Sequence, residues 1–157
     1  MKKINLIFLL LLFVFQLHAQ KQQMDSFISN LMKNMTLEEK IGQLNQVATP
    51  NSFATGATVS SDIEAKIVAG KVGSILNSLN PEVTRKAQEM AVTKSPSKIP
   101  IIFGMDVIHG FRTIFPIPLA ISCTWDMQLV EQSARIAASE ASSAGIAWTF
   151  SPMVDIA

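Results

Sequence analysis

Apolar and polar positions follow two different periods along this chain, and each period predicts a different kind of element. Apolar residues recur at helical spacing over Met24–Asn34 and again over Leu37–Leu44. The continuous apolar run Ile99–Met105 is instead typical of a strand that is buried on both faces. Shorter apolar segments at Val72–Leu76 and Ile146–Phe150 predict two further strands.

Capping residues and helix-ending glycines mark the helices between these strands. The predicted helices are Asp62–Ala69, capped by Ser61 and ended by Gly70, a helix from Pro81 to about Thr93, and a helix from Asp126 to about Ala144. The segment Asn45–Ser60 is rich in Thr, Ser, Asn and Gly and is predicted to be a loop. Alternating helices and apolar strands predict an α/β fold with parallel strands.

The first residues of the chain have the pattern of an export signal. Lys2 and Lys3 precede the almost wholly apolar stretch Ile4–Phe15, and Ala19 offers a small residue for cleavage. This stretch is shorter than the roughly 20 residues that span a bilayer, which disfavours a membrane anchor. We therefore expect a signal peptide over residues 1–19 and a periplasmic or secreted protein.

Charge and cysteine content narrow the range of partners. The chain carries 13 Lys and Arg against 12 Asp and Glu, and removal of Lys2 and Lys3 leaves 11 basic residues and a net charge of −1. Such a chain lacks the basic surface that binds nucleic acid, and we expect no membrane contact beyond the signal peptide. Cys123 is the single cysteine, and its place in the apolar run Pro118–Cys123 predicts a small buried side chain.

A cluster of polar residues follows the central predicted strand, Ile99–Met105. Asp106 follows the strand that ends at Met105, and His109 and Arg112 come within the next six residues. Sites in α/β folds lie at the carboxyl ends of strands, and a carboxylate there accepts strong hydrogen bonds from sugar hydroxyls. The alternatives are structural: Asp106 as a turn cap, His109 as a core residue that holds a loop, and Arg112 paired with a structural acid.

Three blocks of the chain resemble family 3 glycoside hydrolases. Lys98–Ala120, with the sequence KIPIIFGMDVIHGFRTIFPIPLA, resembles the N-terminal domain of that family, and most closely its periplasmic β-glucosidase type. Met35–Leu44 resembles the family's opening helix. Trp148–Ala157 resembles the strand that precedes the family's Arg-Asp-Pro-Arg-Trp-Gly-Arg segment. The blocks stand in family order and are spread over most of the chain after residue 19, from Met35 to Ala157.

This resemblance implies a fold, a reaction and a role for one residue. Residues 20–157 would form the N-terminal portion of an incomplete (β/α)8 TIM-type barrel. The reaction would be retaining, exo-acting hydrolysis of terminal non-reducing β-D-glucosyl residues from a β-linked oligosaccharide or glucoside, without a metal or cofactor. Asp106 matches the aspartate that holds sugar hydroxyls, His109 and Arg112 would support it, and Asp155 would have a structural role.

The catalytic nucleophile and the acid/base do not match any residue of this chain, because both fall beyond Ala157 in the family. We therefore expect residues 20–157 alone to be unstable and inactive on an aryl β-glucoside. A β-xylosidase or another β-glycosidase of the same family is the nearest alternative. Two others are a non-catalytic sugar-binding remnant that ends by design and a complete small doubly wound domain of unrelated function.

Overall fold

The computed structural model describes residues 21–49, 58–59 and 62–153 of the chain. It comprises two compact units, Met1–Leu37 and Glu38–Ala157. In the first unit, helix α1 covers residues 21–34, which confirms the amphipathic helix predicted there. The predicted signal peptide, residues 1–19, lies outside the described residues. None of the helices in the described ranges has the length and apolar character that crossing a membrane requires.

After α1 the chain alternates between strands and helices. The helices are α2 (Leu37–Gln43), α3 (Ile63–Val68), α4 (Pro81–Lys94), α5 (Pro118–Ser122) and α6 (Met127–Ser143). The strands are β1 (Gln46–Ala48), β2 (Thr58–Val59), β3 (Ser74–Leu76), β4 (Ile102–Met105) and β5 (Trp148–Thr149).

All strand pairs are parallel, and the strands form one sheet in the order β2-β1-β3-β4-β5. Parallel neighbours need a crossover connection, and the helices between β3, β4 and β5 supply it. The predicted α/β fold with parallel strands is therefore confirmed. Because all strands run the same way, their carboxyl ends lie at one edge of the sheet.

Local signals explain where two of these helices begin and end. The Asn80 side chain accepts a hydrogen bond of 2.8 Å from the backbone N–H of Glu82, and Pro81 takes the first helical position of α4. The Asp126 carboxylate accepts bonds of 2.9 and 3.1 Å from the first N–H groups of α6. Gly145, with φ of 88°, follows the end of α6 as predicted.

Two boundary predictions were wrong. The predicted loop Asn45–Ser60 contains β1 and β2, whose three and two residues are too few to show an apolar period. Residues 50–57 and 60 of that predicted loop lie outside the described residues. Helix α3 begins at Ile63 with Asp62 at its N-cap position, one residue later than predicted, and Ser61 lies outside the described residues.

Side chains from the sheet and from three helices form one hydrophobic core. Its most deeply buried members include Ile75, Phe103 and Ile67, which are 1–3% exposed. Burial of each such side chain contributes about 1.5–3 kcal/mol. Helix α4 adds Met90 and Ala91, and helix α6 adds mainly small residues such as Ala137 and Ala141. The core thus holds β3 and β4 in the middle of the sheet.

Two predictions of burial were also wrong. Strand β4 is not buried on both faces, because Ile102 is 50% exposed although Phe103 beside it is buried. Cys123 is exposed and follows the last residue of α5, a helix that the apolar run Pro118–Cys123 did not suggest. In both cases the apolar character of the segment indicated burial that these packed elements do not provide.

Candidate functional site

The carboxyl ends of four parallel strands meet at one edge of the sheet. Thr49 follows β1, Asn77 follows β3, Asp106 follows β4, and Thr149 ends β5. The backbone N–H of Asn77 donates to the Gly104 carbonyl at 2.9 Å, which continues the pairing of β3 with β4 past the end of β3. The Thr49 hydroxyl donates to the Asn77 carbonyl at 3.4 Å. This edge therefore collects polar groups from non-adjacent parts of the chain.

Asp106 lies in the middle of this edge and is half-buried. The Thr149 hydroxyl donates a hydrogen bond of 3.1 Å to the Asp106 backbone carbonyl. The same hydroxyl lies 2.9 Å from the Ser151 hydroxyl and accepts from the Ser151 backbone N–H at 3.2 Å. Within the described part of the chain, no group donates a hydrogen bond to the Asp106 carboxylate. The backbone of Asp106 is held, and both carboxylate oxygens remain available as acceptors.

The segment after Asp106, residues 106–116, folds back on itself. The Phe115 backbone N–H donates to the His109 carbonyl at 2.8 Å, and His109 Nδ1 lies 3.2 Å from the Phe115 carbonyl, a bond that the Nδ1–H tautomer donates. Gly110 forms an antiparallel bridge to Ile114 with φ of 112°, a conformation that side chains other than hydrogen rarely allow. We call residues 106–116 the β4 loop.

Glu140 of helix α6 binds the far end of the β4 loop. One carboxylate oxygen accepts from the backbone N–H groups of Arg112 and Thr113 at 2.9 and 2.8 Å. The other oxygen accepts from the Thr113 hydroxyl at 2.6 Å. These hydrogen bonds, first that of the Thr113 hydroxyl, lower the pKa of Glu140 below its ordinary value of 4.5. The positive charge of Arg112 acts in the same direction.

The three residues that the sequence singled out lie on the same loop but share no hydrogen bond or ion pair among the described residues. Neither His109 nor Arg112 forms a hydrogen bond or ion pair with Asp106 among the residues that the structure describes. His109 is exposed, so the alternative of a core histidine is wrong, although it does close the loop. Arg112 is attached to the structural acid Glu140 through its backbone N–H. Asp155 lies outside the described residues.

Sequence reasoning missed Glu140 and Thr149. Glu140 occurs in a stripe of α6 that is otherwise small and buried, with Ala137 three residues before it and Ala144 four residues after it. An acidic side chain on such a stripe indicates a polar contact but does not identify the partner. Thr149 ends a strand next to β4, and this adjacency became apparent only with the strand order.

No metal centre is formed in residues 21–49, 58–59 and 62–153, where no three His, Cys, Asp or Glu side chains are grouped so that they could hold an ion. Besides the Asp106 carboxylate, the carboxyl edge carries the hydroxyl groups of Thr49, Thr149 and Ser151. Such groups suit a neutral ligand with several hydroxyls, because each hydroxyl can donate to one oxygen and accept from an N–H.

Comparison with known proteins identifies relatives that match most of the chain. The family model described as the glycosyl hydrolase family 3 N-terminal domain matches residues 36–157. The periplasmic β-glucosidase of Salmonella typhimurium is 36% identical over 132 residues, which are 84% of this chain and 17% of that protein. The lysosomal β-glucosidase of Dictyostelium discoideum is 28% identical over 155 residues, covering 84% of this chain and 19% of the relative.

Solved structures agree with these relatives. The crystal structure of a β-glucosidase from Listeria innocua in complex with isofagomine aligns with a TM-score of 0.69 at 34% identity, covering 83% of this chain and 18% of that one. The same enzyme in complex with glucose aligns with a TM-score of 0.68 at 33% identity, covering 83% of this chain and 19% of that one. The chain therefore spans less than a fifth of the length of these relatives.

Proposed function

The chain belongs to the family of glycosyl hydrolase family 3 N-terminal domains, and on this basis we propose that it forms the sugar-gripping part of an exo-acting, retaining β-glucosidase. The proposed substrate is the terminal non-reducing β-D-glucosyl residue of an oligosaccharide or glucoside. Two curated relatives are β-glucosidases by name. A similar Listeria innocua β-glucosidase was solved with glucose, and a mutant of it with laminaribiose.

The observation that carries this proposal is the state of the Asp106 carboxylate. It follows a central strand at the carboxyl edge of the sheet, its backbone is held by Thr149, and none of the described groups donates to its oxygens. A sugar with two neighbouring hydroxyls can donate one hydrogen bond to each oxygen. Hydrogen bonds to a charged acceptor are stronger than neutral ones, so this carboxylate would fix the orientation of the ring.

Hydrogen bonds between Asp106 and the sugar hydroxyls contribute to catalysis when they strengthen as the sugar ring distorts toward the oxocarbenium-like transition state. Bond cleavage in a retaining glycosidase needs two further carboxyl groups, about 5–5.5 Å apart, as nucleophile and acid/base. We assign neither role to an acid of residues 21–153. His109 and Arg112 support the site in this proposal, His109 by closing the β4 loop and Arg112 as an exposed positive charge beside it.

We also propose that residues 20–157 form the first β/α units of a (β/α)8-type barrel and that residues 1–19 are a signal peptide. Barrels of this kind take about 250 residues. Strand β5 pairs on one side only among the described residues, so its other side is available to a following strand. Strand β2 already pairs with β1 on the side away from β3, so a strand that closes the barrel would pair with the other side of β2.

The name of the Salmonella relative supports a periplasmic location.

The proposal is tested by assaying the full-length protein on aryl β-D-glucoside and aryl β-D-xyloside. We expect the glucoside to be preferred, and NMR of the first-formed sugar to show the β-anomer, as retention requires. Preference for the xyloside would instead assign the neighbouring β-xylosidase activity. Sugar binding by calorimetry that is lost in Asp106→Ala, without turnover of any glycoside, would assign a non-catalytic binding module.

A second experiment tests where cleavage takes place. Residues 20–157, purified alone, are expected to show no turnover of the aryl glucoside and to aggregate, because the strand edge at β5 and apolar side chains such as Trp148 and Phe150 are uncovered. Turnover by this segment at a measurable rate would contradict the assignment of the nucleophile to other residues.

A further inference from the structure

The β4 loop is tied to the β/α unit that follows it at two separate points. At its start, the Asp106 carbonyl accepts from the Thr149 hydroxyl of β5 at 3.1 Å. At its far end, the backbone N–H groups of Arg112 and Thr113 donate to Glu140 of α6 at 2.9 and 2.8 Å. Both anchors come from elements about 30 residues further along the chain or more, so they fix the loop in the tertiary structure.

The Glu140 end of this arrangement is well suited to hold a backbone in place. Two consecutive N–H groups converge on a single carboxylate oxygen, and the Thr113 hydroxyl binds the other oxygen at 2.6 Å. Hydrogen bonds to a charged acceptor are stronger than those to a neutral one, although solvent weakens exposed ones. The helix that carries Glu140 is itself held by the buried residues Ala137 and Ala141.

The loop transmits this restraint because it is closed internally. The Phe115 N–H donates to the His109 carbonyl at 2.8 Å, and Gly110 bridges to Ile114. These bonds join residues 109–115 to one another. Only Val107 and Ile108 separate this segment from Asp106, so a shift at Arg112 and Thr113 would reach Asp106 through a short stretch of backbone.

We propose that Glu140 is a positioning residue for Asp106: it orients the β4 loop so that the Asp106 carboxylate meets the sugar hydroxyls, without touching the sugar itself. This inference rests on the proposed sugar-binding role of Asp106. A displacement of about 1 Å in a gripping group can cost on the order of 10²-fold in rate. Glu140 would thus control activity through backbone geometry.

Three variants of the full-length protein separate geometry from charge. Glu140→Asp shortens the side chain by one methylene and withdraws the carboxylate from all three donors. Glu140→Gln keeps the length, since its carbonyl oxygen can accept from both N–H groups and its NH₂ can donate to the Thr113 hydroxyl. Thr113→Val removes one bond only. Glu131→Gln on the same helix is the matched control, because Glu131 is exposed and, in the described part of the chain, forms an ion pair with Arg135 alone, at 2.7 Å.

The first measurement is kcat/KM on the aryl β-glucoside. We expect Glu140→Asp to lower it by about 10²-fold and Thr113→Val by about tenfold, the equivalent of one hydrogen bond. Glu140→Gln should keep kcat/KM within about threefold of the wild-type value, because the geometry of the hydrogen bonds is retained. Glu131→Gln should match wild type. A Glu140→Gln variant as poor as Glu140→Asp would contradict positioning by geometry.

The decisive measurement is a double-mutant cycle with Asp106→Asn. If Glu140 acts through Asp106, adding Glu140→Asp to Asp106→Asn causes no further loss of kcat/KM, whereas a purely structural role gives additive losses. Hydrogen exchange at the Arg112 and Thr113 amides, which should quicken in Glu140→Asp, reports the bonds without any sugar. Additive losses, or unchanged kinetics with faster exchange, overturn this inference alone. A wild-type protein that neither binds nor cleaves the glucoside overturns the proposed function with it.

Discussion

The two ends of strand β4 carry polar side chains in opposite states. At the amino end, Gln88 binds both backbone groups of Ile101, accepting from its N–H at 2.8 Å and donating to its carbonyl at 3.3 Å. Nearby, the Ser97 hydroxyl donates to the buried Glu39 carboxylate at 2.8 Å. At the carboxyl end, the Asp106 carboxylate meets no donor among the described residues. One end is internally satisfied, and the other presents acceptors.

This difference distinguishes polar groups that stabilise from polar groups that bind. A buried donor or acceptor without a partner costs about 1–3 kcal/mol, whereas a half-buried carboxylate at an accessible edge binds water and can exchange that water for a ligand. In parallel α/β folds the carboxyl ends of the strands carry the site and the amino ends serve stability. Substitutions at the carboxyl end of β4 should therefore change mainly the activity, and substitutions at the amino end should change mainly the free energy of unfolding.

The largest expected effect is the loss of activity in Asp106→Asn. The substitution removes the charge and replaces one acceptor oxygen by a donor, so two hydrogen bonds to a charged group are lost or weakened. At about 1.5–3 kcal/mol each, kcat/KM on the aryl glucoside should fall on the order of 10²–10⁴-fold. The melting temperature of the full-length protein should change little, because no described group depends on the carboxylate. A large drop in melting temperature with retained activity would show instead that Asp106 stabilises the fold and does not bind the substrate.

The next largest effects are expected from alanine substitutions of two glycines that lie at opposite ends of the sheet. A Cβ on Gly110 would lie 2.0 Å from the Thr113 carbonyl oxygen, and a Cβ on Gly73 would lie 2.0 Å from the Gln43 carbonyl oxygen. Both alanine variants should be destabilised by about 2–3 kcal/mol in chemical denaturation. Only Gly110→Ala should also raise KM, because only it distorts the β4 loop. Equal kinetic effects in both would show that the two ends are not functionally distinct.

A smaller effect is expected from Gln88→Ala at the amino end. It leaves the N–H and carbonyl of Ile101 without their side-chain partner and should lower the free energy of unfolding by about 1–3 kcal/mol. The kinetic constants of the folded protein should stay at wild-type values, since the change lies at the opposite end of β4 from Asp106. The measurement pairs urea denaturation with kcat and KM, and a raised KM here would contradict the division between the ends.

The sequence predicted this fold well where its signals are long and local. Helix α4 has an Asn-Pro start, α6 has Asp126 at its start and Gly145 after its end, and strand β4 is a continuous apolar run, so each was placed within a few residues. It failed for β1 and β2, because two or three residues carry no readable period. Their presence in the sheet depends on pairing with strands distant in the sequence.

The candidate site was predictable only as far as chemistry follows a strand end. Asp106 stands out because it directly follows an apolar strand, the position at which α/β folds place their sites. The anchors Thr149 and Glu140 could not be predicted in the same way, since they act across 27–43 residues of sequence. Their donors and acceptors are largely backbone groups, which every residue has and which no composition or spacing reveals.

The smallest expected effect is a loss of folding stability at acid pH. It tests Glu140, an anchor that the sequence did not reveal. The pKa of Glu140 is lowered in the folded protein, mainly by the Thr113 hydroxyl and backbone N–H, with Arg112 adding a positive charge. A lowered folded pKa means that the ionised group stabilises the fold fully above about pH 4.5, its ordinary value, and that this contribution disappears as pH falls through the folded pKa. Glu140→Gln cannot titrate, so its unfolding free energy should lack this component. We expect the difference between wild type and Glu140→Gln to be constant from about pH 7 to 5 and to shrink below about pH 4.5. A difference that stays constant into acid would mean that the carboxylate does not anchor the loop in solution. Of the two anchors described above for the β4 loop, only the Thr149 hydroxyl on the Asp106 carbonyl would then remain.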